Sequence, residues 1–151
     1  MEVMNKVVMV LDDDVETVQL CERMLKRAGF ETLAITTPKQ GLAILQQARV
    51  DLLIVDIHMP TMDGFEVMKL ARAAQPDLAV LVITGHGTLQ MALQALRAGA
   101  NGLVLKPFAS ASELIDSVQR ALEETENHRE AARLHALRPL IDLTQTLFAE
   151  T

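Results

Sequence analysis

The chain has 151 residues, half of them hydrophobic, which is about one domain's length with enough apolar residues for a full core. Its four Phe, without any Trp or Tyr, make that core aliphatic, and a formal net charge of −6 denies the domain as a whole the positive footprint of a nucleic-acid binder. Cys21 has no second cysteine to pair with, and nothing else points to an oxidising compartment. The apolar opening Met1–Leu11 meets Asp12, Asp13 and Asp14 too soon for a secretory signal, and no run approaches membrane-spanning length. The expectation is a soluble cytoplasmic protein with no membrane association and no direct nucleic-acid binding by this segment.

In chain order, a strand is predicted over Val7–Leu11, followed by a helix marked by Val15, Val18, Met24, Leu25 and Ala28. Gly29 ends it where a left-handed cap is favoured. A second strand, Thr32–Thr36, precedes a helix marked by Leu42, Leu45 and Ala48. The third strand, Leu52–Ile57, precedes Phe65, Met68 and Ala71; the fourth, Leu78–Ile83, precedes Leu89, Ala92, Leu96 and Gly99. Gly102–Leu105 is the fifth strand, and Leu114, Ile115, Val118, Ala121 and Leu122 mark the fifth helix. Strands one, three and four are almost continuously apolar, as parallel strands covered on both faces are. Five alternations of strand and helix predict a doubly wound α/β fold, flavodoxin-like, with strand order 2-1-3-4-5 and a ligand site at the carboxyl ends of strands 1 and 3.

After residue 124 the character changes. Glu123–Glu130 is highly polar, and Leu134, Leu137, Ile141, Thr144 and Phe148 then recur at helical spacing. Residues 1–124 are thus expected to form the domain. Residues 125–151 are expected to form a helical linker or extension, leading to an effector or sensory domain, with Pro139 kinking it or opening a second helix. Leu137, Leu140, Ile141, Thr144, Leu147 and Phe148 share one broad face of that extension, a candidate surface for homodimerisation.

The chemistry gathers at the strand ends. Strand 1 runs into Asp12 and Asp13, strand 3 into Asp56, strand 4 into Thr84 followed by Gly85-His86-Gly87, and strand 5 into Lys106-Pro107. Carboxylates crowded at one sheet edge raise each other's pKa unless a cation neutralises them. Oxygen ligands suit a hard ion, and magnesium accepts one or two carboxylates while keeping waters for a phosphate to replace. A lysine and a hydroxyl on the same rim complete a set that fits a phosphoryl group, with a carboxylate to attack phosphorus. Asp14 reads as a helix cap, Asp63-Gly64 as a turn into the third helix, and Cys21 as a packed helix residue.

Val7–Asp14 (VVMVLDDD), Asp56–Gly64 (DIHMPTMDG), Thr84-Gly85 and Gly99–Phe108 (GANGLVLKPF) resemble, in that order, the response-regulator receiver family of two-component signalling. The resemblance spans roughly residues 5–124. It implies Asp56 as the phosphoacceptor, and Mg2+ held by Asp12, Asp13, Asp56 and the backbone carbonyl of His58. It further implies Thr84 and Lys106 as the phosphoryl-binding and switch residues, and a cis bond before Pro107. The implied partner is a sensor histidine kinase or a phosphotransfer protein, with homodimerisation through the helix 4/helix 5 face as a second candidate. The protein would then be a phosphorelay switch rather than an enzyme with turnover.

Three positions depart from or refine the family pattern. Leu103 stands where many receivers carry a switch aromatic, and the positions that modulate dephosphorylation hold His58 and His86. Asp12-x-Asp14 also resembles the haloacid-dehalogenase phosphatase motif, but Glu16 does not fit that motif, and it leaves Asp56 unexplained. A flavodoxin lacks support for want of aromatics and of a phosphate-binding loop after strand 1. A receiver that binds partners without phosphorylation is expected to have lost a key site residue, and here all are present.

Overall fold

In the computed structural model, the backbone is described for residues 5–149 and the side chains for residues 5–136. The elements follow the expected alternation: β1 Val7–Leu11, α1 Val15–Arg27, β2 Glu31–Ile35, α2 Pro38–Leu45, β3 Leu52–Asp56, α3 Gly64–Ala74, β4 Ala79–Thr84, α4 Leu89–Arg97, β5 Gly102–Leu105 and α5 Ala111–Ala149. All five strands are parallel, in the order β2-β1-β3-β4-β5. The fold class is the one expected.

Alternation along the strands divides the core in two. Met9, Leu11, Leu53, Val55, Val80 and Val82 face α2, α3 and α4, where Leu45, Val67, Met68, Ala71 and Ala95 meet them. Val8, Val10, Leu52, Ile54, Leu81, Ile83 and Val104 face α1 and α5, against Val18, Cys21, Leu25, Leu114, Val118 and Leu122. Burying both faces explains the unbroken apolar runs of β1, β3 and β4. Cys21 is fully buried, and burial pushes its thiol up to about 12, so it is an inert core residue as expected.

Local signals set the helix limits. Asp14 accepts hydrogen bonds from the Glu16 amide and the Thr17 hydroxyl, and Asp63 accepts one from the Phe65 amide, each capping the helix it precedes. Gly29 has φ 99° and Gly99 φ 95°, left-handed positions directly after the caps of α1 and α4.

Several limits differ from the expected ones. β2 begins and ends one residue earlier than the pattern suggested, because Glu31 pairs with Val7 although its side chain is exposed. β3 ends at Asp56 rather than Ile57, although the Ile57 amide still donates to the Ile83 carbonyl at 3.2 Å. β4 runs Ala79–Thr84, starting and ending one residue later than the expected Leu78–Ile83, so Thr84 itself belongs to the ladder. Ala48 lies past α2 in a turn, where its amide donates to Ile44 and its carbonyl accepts from Gln75.

The largest difference is at the C-terminus. Residues 123–136 contain neither Gly nor Pro, so nothing stops α5 at the change in polarity, and it continues as one helix through Pro139 to Ala149. No second helix opens at Pro139. The apolar positions from Leu137 to Phe148 lie outside the described side chains.

Side chains hold the lower edge of the sheet. Gln75 donates to the carbonyls of Leu45 and Ala48 and accepts from the Val50 amide, tying α3 to the α2–β3 turn. Arg72 donates to the carbonyls of Leu78 and Gly99 and to the Asn101 side chain, which accepts from the Val80 amide. Gln75→Leu orphans three backbone groups at once and is expected to cost about 2 kcal/mol in urea denaturation. An unchanged midpoint and slope would show that solvent takes over these bonds without loss.

Candidate functional site

Parallel pairing brings the end of β1 beside the end of β3, with Leu11 opposite Val55, so Asp12 and Asp56 become neighbours at the upper rim. On the other side, Asp56 pairs with Ile83 and Thr84 pairs with Leu105, which sets Thr84 and Lys106 on the same rim. Asp12 and Thr84 are fully buried and Asp56 nearly so, whereas Asp13 is exposed.

Lys106 Nζ lies 2.9 Å from Asp12 Oδ2 and 3.3 Å from Asp56 Oδ2. The second oxygens of these carboxylates bond to the chain itself, Asp12 Oδ1 accepting from the Asp14 amide and Asp56 Oδ1 from the His58 amide. Thr84 Oγ1 accepts from the His86 amide at 3.1 Å, and the Lys106 amide donates to the Thr84 carbonyl at 2.8 Å. The Lys106–Pro107 peptide is cis, as expected. The rings of His58 and His86 meet edge to face, their centroids 5.7 Å apart, so the two expected modulator positions touch across the mouth of the site. Every side chain named from the sequence for this site is thus on one rim.

Oxygens of Asp12, Asp13 and Asp56 lie within 4.8 Å of one another, a grouping able to hold a metal ion. Burial, followed by the charge of Asp12, raises the pKa of Asp56; burial and the hydrogen bond and charge of Asp12 raise that of Asp13. Burial works against the charged form of Lys106, but its bonds to Asp12 and Asp56 outweigh this and raise its pKa. One ammonium therefore faces three carboxylates. The surplus of negative charge and the all-oxygen donor set fit a hard divalent cation.

Two contributors were not visible in the sequence. A Cβ on Gly64 would collide with the Asp56 carbonyl oxygen and come within 2.7 Å of Ile57 Cα, so the residue assigned only to a turn allows α3 to start directly against the acceptor strand. Its φ is not left-handed, so only the close approach requires glycine. A Cβ on Gly87 would likewise meet the Leu105 side chain. Neither approach leaves a local signal, because the contact is made by residues remote in sequence or across strands.

A doubly wound parallel sheet with buried carboxylates, a hydroxyl and a lysine at its carboxyl edge defines a CheY-like receiver. The chain belongs to the response regulator receiver domain family, whose model matches residues 8–119. It is 37% identical over 117 residues to the C4-dicarboxylate transport transcriptional regulatory protein DctD of Rhizobium meliloti, covering 78% of this chain and 25% of that protein. It is 34% identical over 139 residues to the regulatory protein AtoC of Escherichia coli, covering 89% of this chain and 29% of that protein. The chain thus spans between about a quarter and about half of the length of the curated relatives it matches. Among solved structures, it is similar to a CheY-like receiver domain protein from Methanospirillum hungatei, with TM-score 0.75 and 27% identity over 82% of this chain and 98% of that one. It is also similar to NtrX from Brucella abortus, with TM-score 0.76 and 32% identity over 87% of this chain and 29% of that one.

The raised carboxylate sets a pH dependence. Folded Asp56 binds its proton more tightly than the unfolded residue, whose ordinary value is 3.8. In the window just above that value the folded state therefore holds more protons, and metal-free stability falls as pH rises through it. Asp56→Asn removes this dependence, so the variant is expected to gain on the wild type in denaturation series run from pH 4 to 7. Parallel stability curves would contradict the assignment. Asp13→Ala is expected to stabilise the metal-free protein by about 0.5 kcal/mol, a small figure because water screens the exposed Asp13. A less stable variant would make Asp13 a structural residue.

Proposed function

We propose that the chain is a phosphorelay switch that accepts a phosphoryl group on Asp56 from a sensor histidine kinase or a phosphotransfer protein. The observation that carries this reading is the Asp56 carboxylate at the end of β3, with Lys106 Nζ 3.3 Å away and the carboxylates of Asp12 and Asp13 beside it. Asp56 attacks phosphorus, an O–P bond forms, and the donor's P–N bond breaks with its electron pair leaving on the imidazole. Lys106 then exchanges its carboxylate partners for phosphoryl oxygens, and the Thr84 hydroxyl donates to one of them. Asp12, Asp13, Asp56 and the His58 carbonyl would hold Mg2+, which supplies positive charge against the phosphoryl oxygens. His58 and His86, in contact at the mouth, govern the approach of water to the acyl phosphate.

The output lies with another part of the protein or with a separate partner. Relatives named as transcriptional regulators support a transcriptional output reached through α5. Exposed Leu89, Leu93 and Leu96 on α4 support the α4/α5 side as the homodimer surface. The absence of a membrane-crossing helix among the described residues accords with action in the cytoplasm.

With magnesium and acetyl phosphate, the chain is expected to gain one base-labile acyl phosphate, read by intact-protein mass spectrometry. Asp56→Asn abolishes it, because an amide is not a nucleophile here. Label persisting in that variant would move the acceptor elsewhere. In the labelled protein, the double variant His58→Asn/His86→Ala is expected to change the acyl phosphate's lifetime several-fold, an effect of the general size of water-positioning groups. An identical lifetime would assign the two rings to loop packing alone.

A further inference from the structure

Thr84 is fully buried, yet its hydroxyl is engaged by a loop that is wholly exposed. The His86 amide donates to Thr84 Oγ1 at 3.1 Å, so the position of Gly85-His86-Gly87 decides how the hydroxyl is oriented. The loop has little support. Nothing lies within 4 Å of a Cβ built on Gly85, and the ring of His86 meets the exposed ring of His58.

The remaining support comes from β5. Leu105 pairs with Thr84 in the ladder and is 46% exposed, a large apolar side chain at the end of an edge strand. A Cβ added to Gly87 would collide with Leu105 Cδ2 and lie 3.2 Å from both Cδ1 and Cγ. The isobutyl group therefore rests on the Gly87 backbone, and a side chain at position 87 would have to displace it. Alternation puts Leu105 on the same face of β5 as Leu103, which packs on the core beneath α4, whereas Leu105 reaches past that core to the loop.

We propose that Leu105 is a positioning residue: seated on Gly87, it holds the β4–α4 loop so that the His86 amide orients the Thr84 hydroxyl. The consequence for phosphoryl binding rests on the reading of Asp56 as the acceptor, but the loop geometry does not. Close-packed contacts of this kind are lost in both directions, by removing the knob or by filling its seat.

The test is amide hydrogen exchange at His86 in the metal-free protein, with magnesium and beryllofluoride binding measured alongside. Leu105→Ala removes the knob and is expected to speed His86 exchange about tenfold, as local opening becomes easier. Gly87→Ala displaces Leu105 and has the same effect. In Gly87→Ala/Leu105→Ala the new methyl occupies the vacated seat, and protection returns toward the wild type. Leu105→Met, which keeps a chain over Gly87, retains wild-type exchange. Both single alanine variants weaken beryllofluoride binding several-fold.

Wild-type exchange at His86 in Leu105→Ala overturns the proposal, as does a double variant no better protected than either single one. Faster exchange in Leu105→Ala, in a wild type that binds no beryllofluoride, sustains the positioning role and instead removes Asp56 as the acceptor. Because Leu105 is half exposed, a folded Leu105→Ala protein is expected, checked by its unchanged melting transition.

Discussion

Everything at the upper rim follows from setting two buried carboxylates beside each other with one ammonium between them. Asp12 and Asp56 end adjacent central strands, and each is held at its second oxygen by a backbone amide of its own chain segment. Neither can turn away from the other. Lys106 relieves part of the repulsion, yet burial, with the neighbouring Asp12 added to it, still raises the proton affinity of Asp13 and Asp56. A site built this way is tense without a cation. Its ligands are therefore chosen by charge before shape.

The scaffold makes that tension tolerable. The central strands β1, β3 and β4 are buried on both faces, so the sheet is a rigid apolar slab, and only its edges carry polar chemistry. At the lower edge, Gln75, Arg72 and Asn101 knit turns together through backbone carbonyls and amides. At the upper edge, the same kind of loop is left to glycines and short contacts.

Much of this was readable from the sequence because parallel α/β folds write their topology as alternation. The unbroken apolar runs of β1, β3 and β4 identified a sheet buried on both faces, and the polar residue after each strand then fell on one rim by necessity. Asp14 and Asp63 were recognisable as caps because capping is local chemistry between residues two or three apart. Gly64 and Gly87 were not recognisable in their roles, since the Asp56 carbonyl and the Leu105 side chain approach them only after the chain has folded back. The continuity of α5 with the helical extension is less legible, because a change in polarity marks where packing on the sheet ends and not where a helix ends.

The central claim is that Lys106 is the counter-charge that lets Asp12 and Asp56 lie together. Its most direct test is the stability of Lys106→Met at pH 8, measured by urea denaturation with and without magnesium. The methionine keeps most of the side chain's volume and removes only the charge. Without metal, the variant is expected to lose about 2 kcal/mol, less than for a fully buried pair because the Lys106 side chain is 22% exposed. Magnesium should then restore more stability to the variant than to the wild type. A metal-free variant as stable as the wild type would contradict the account, because two buried carboxylates would then need no cation between them.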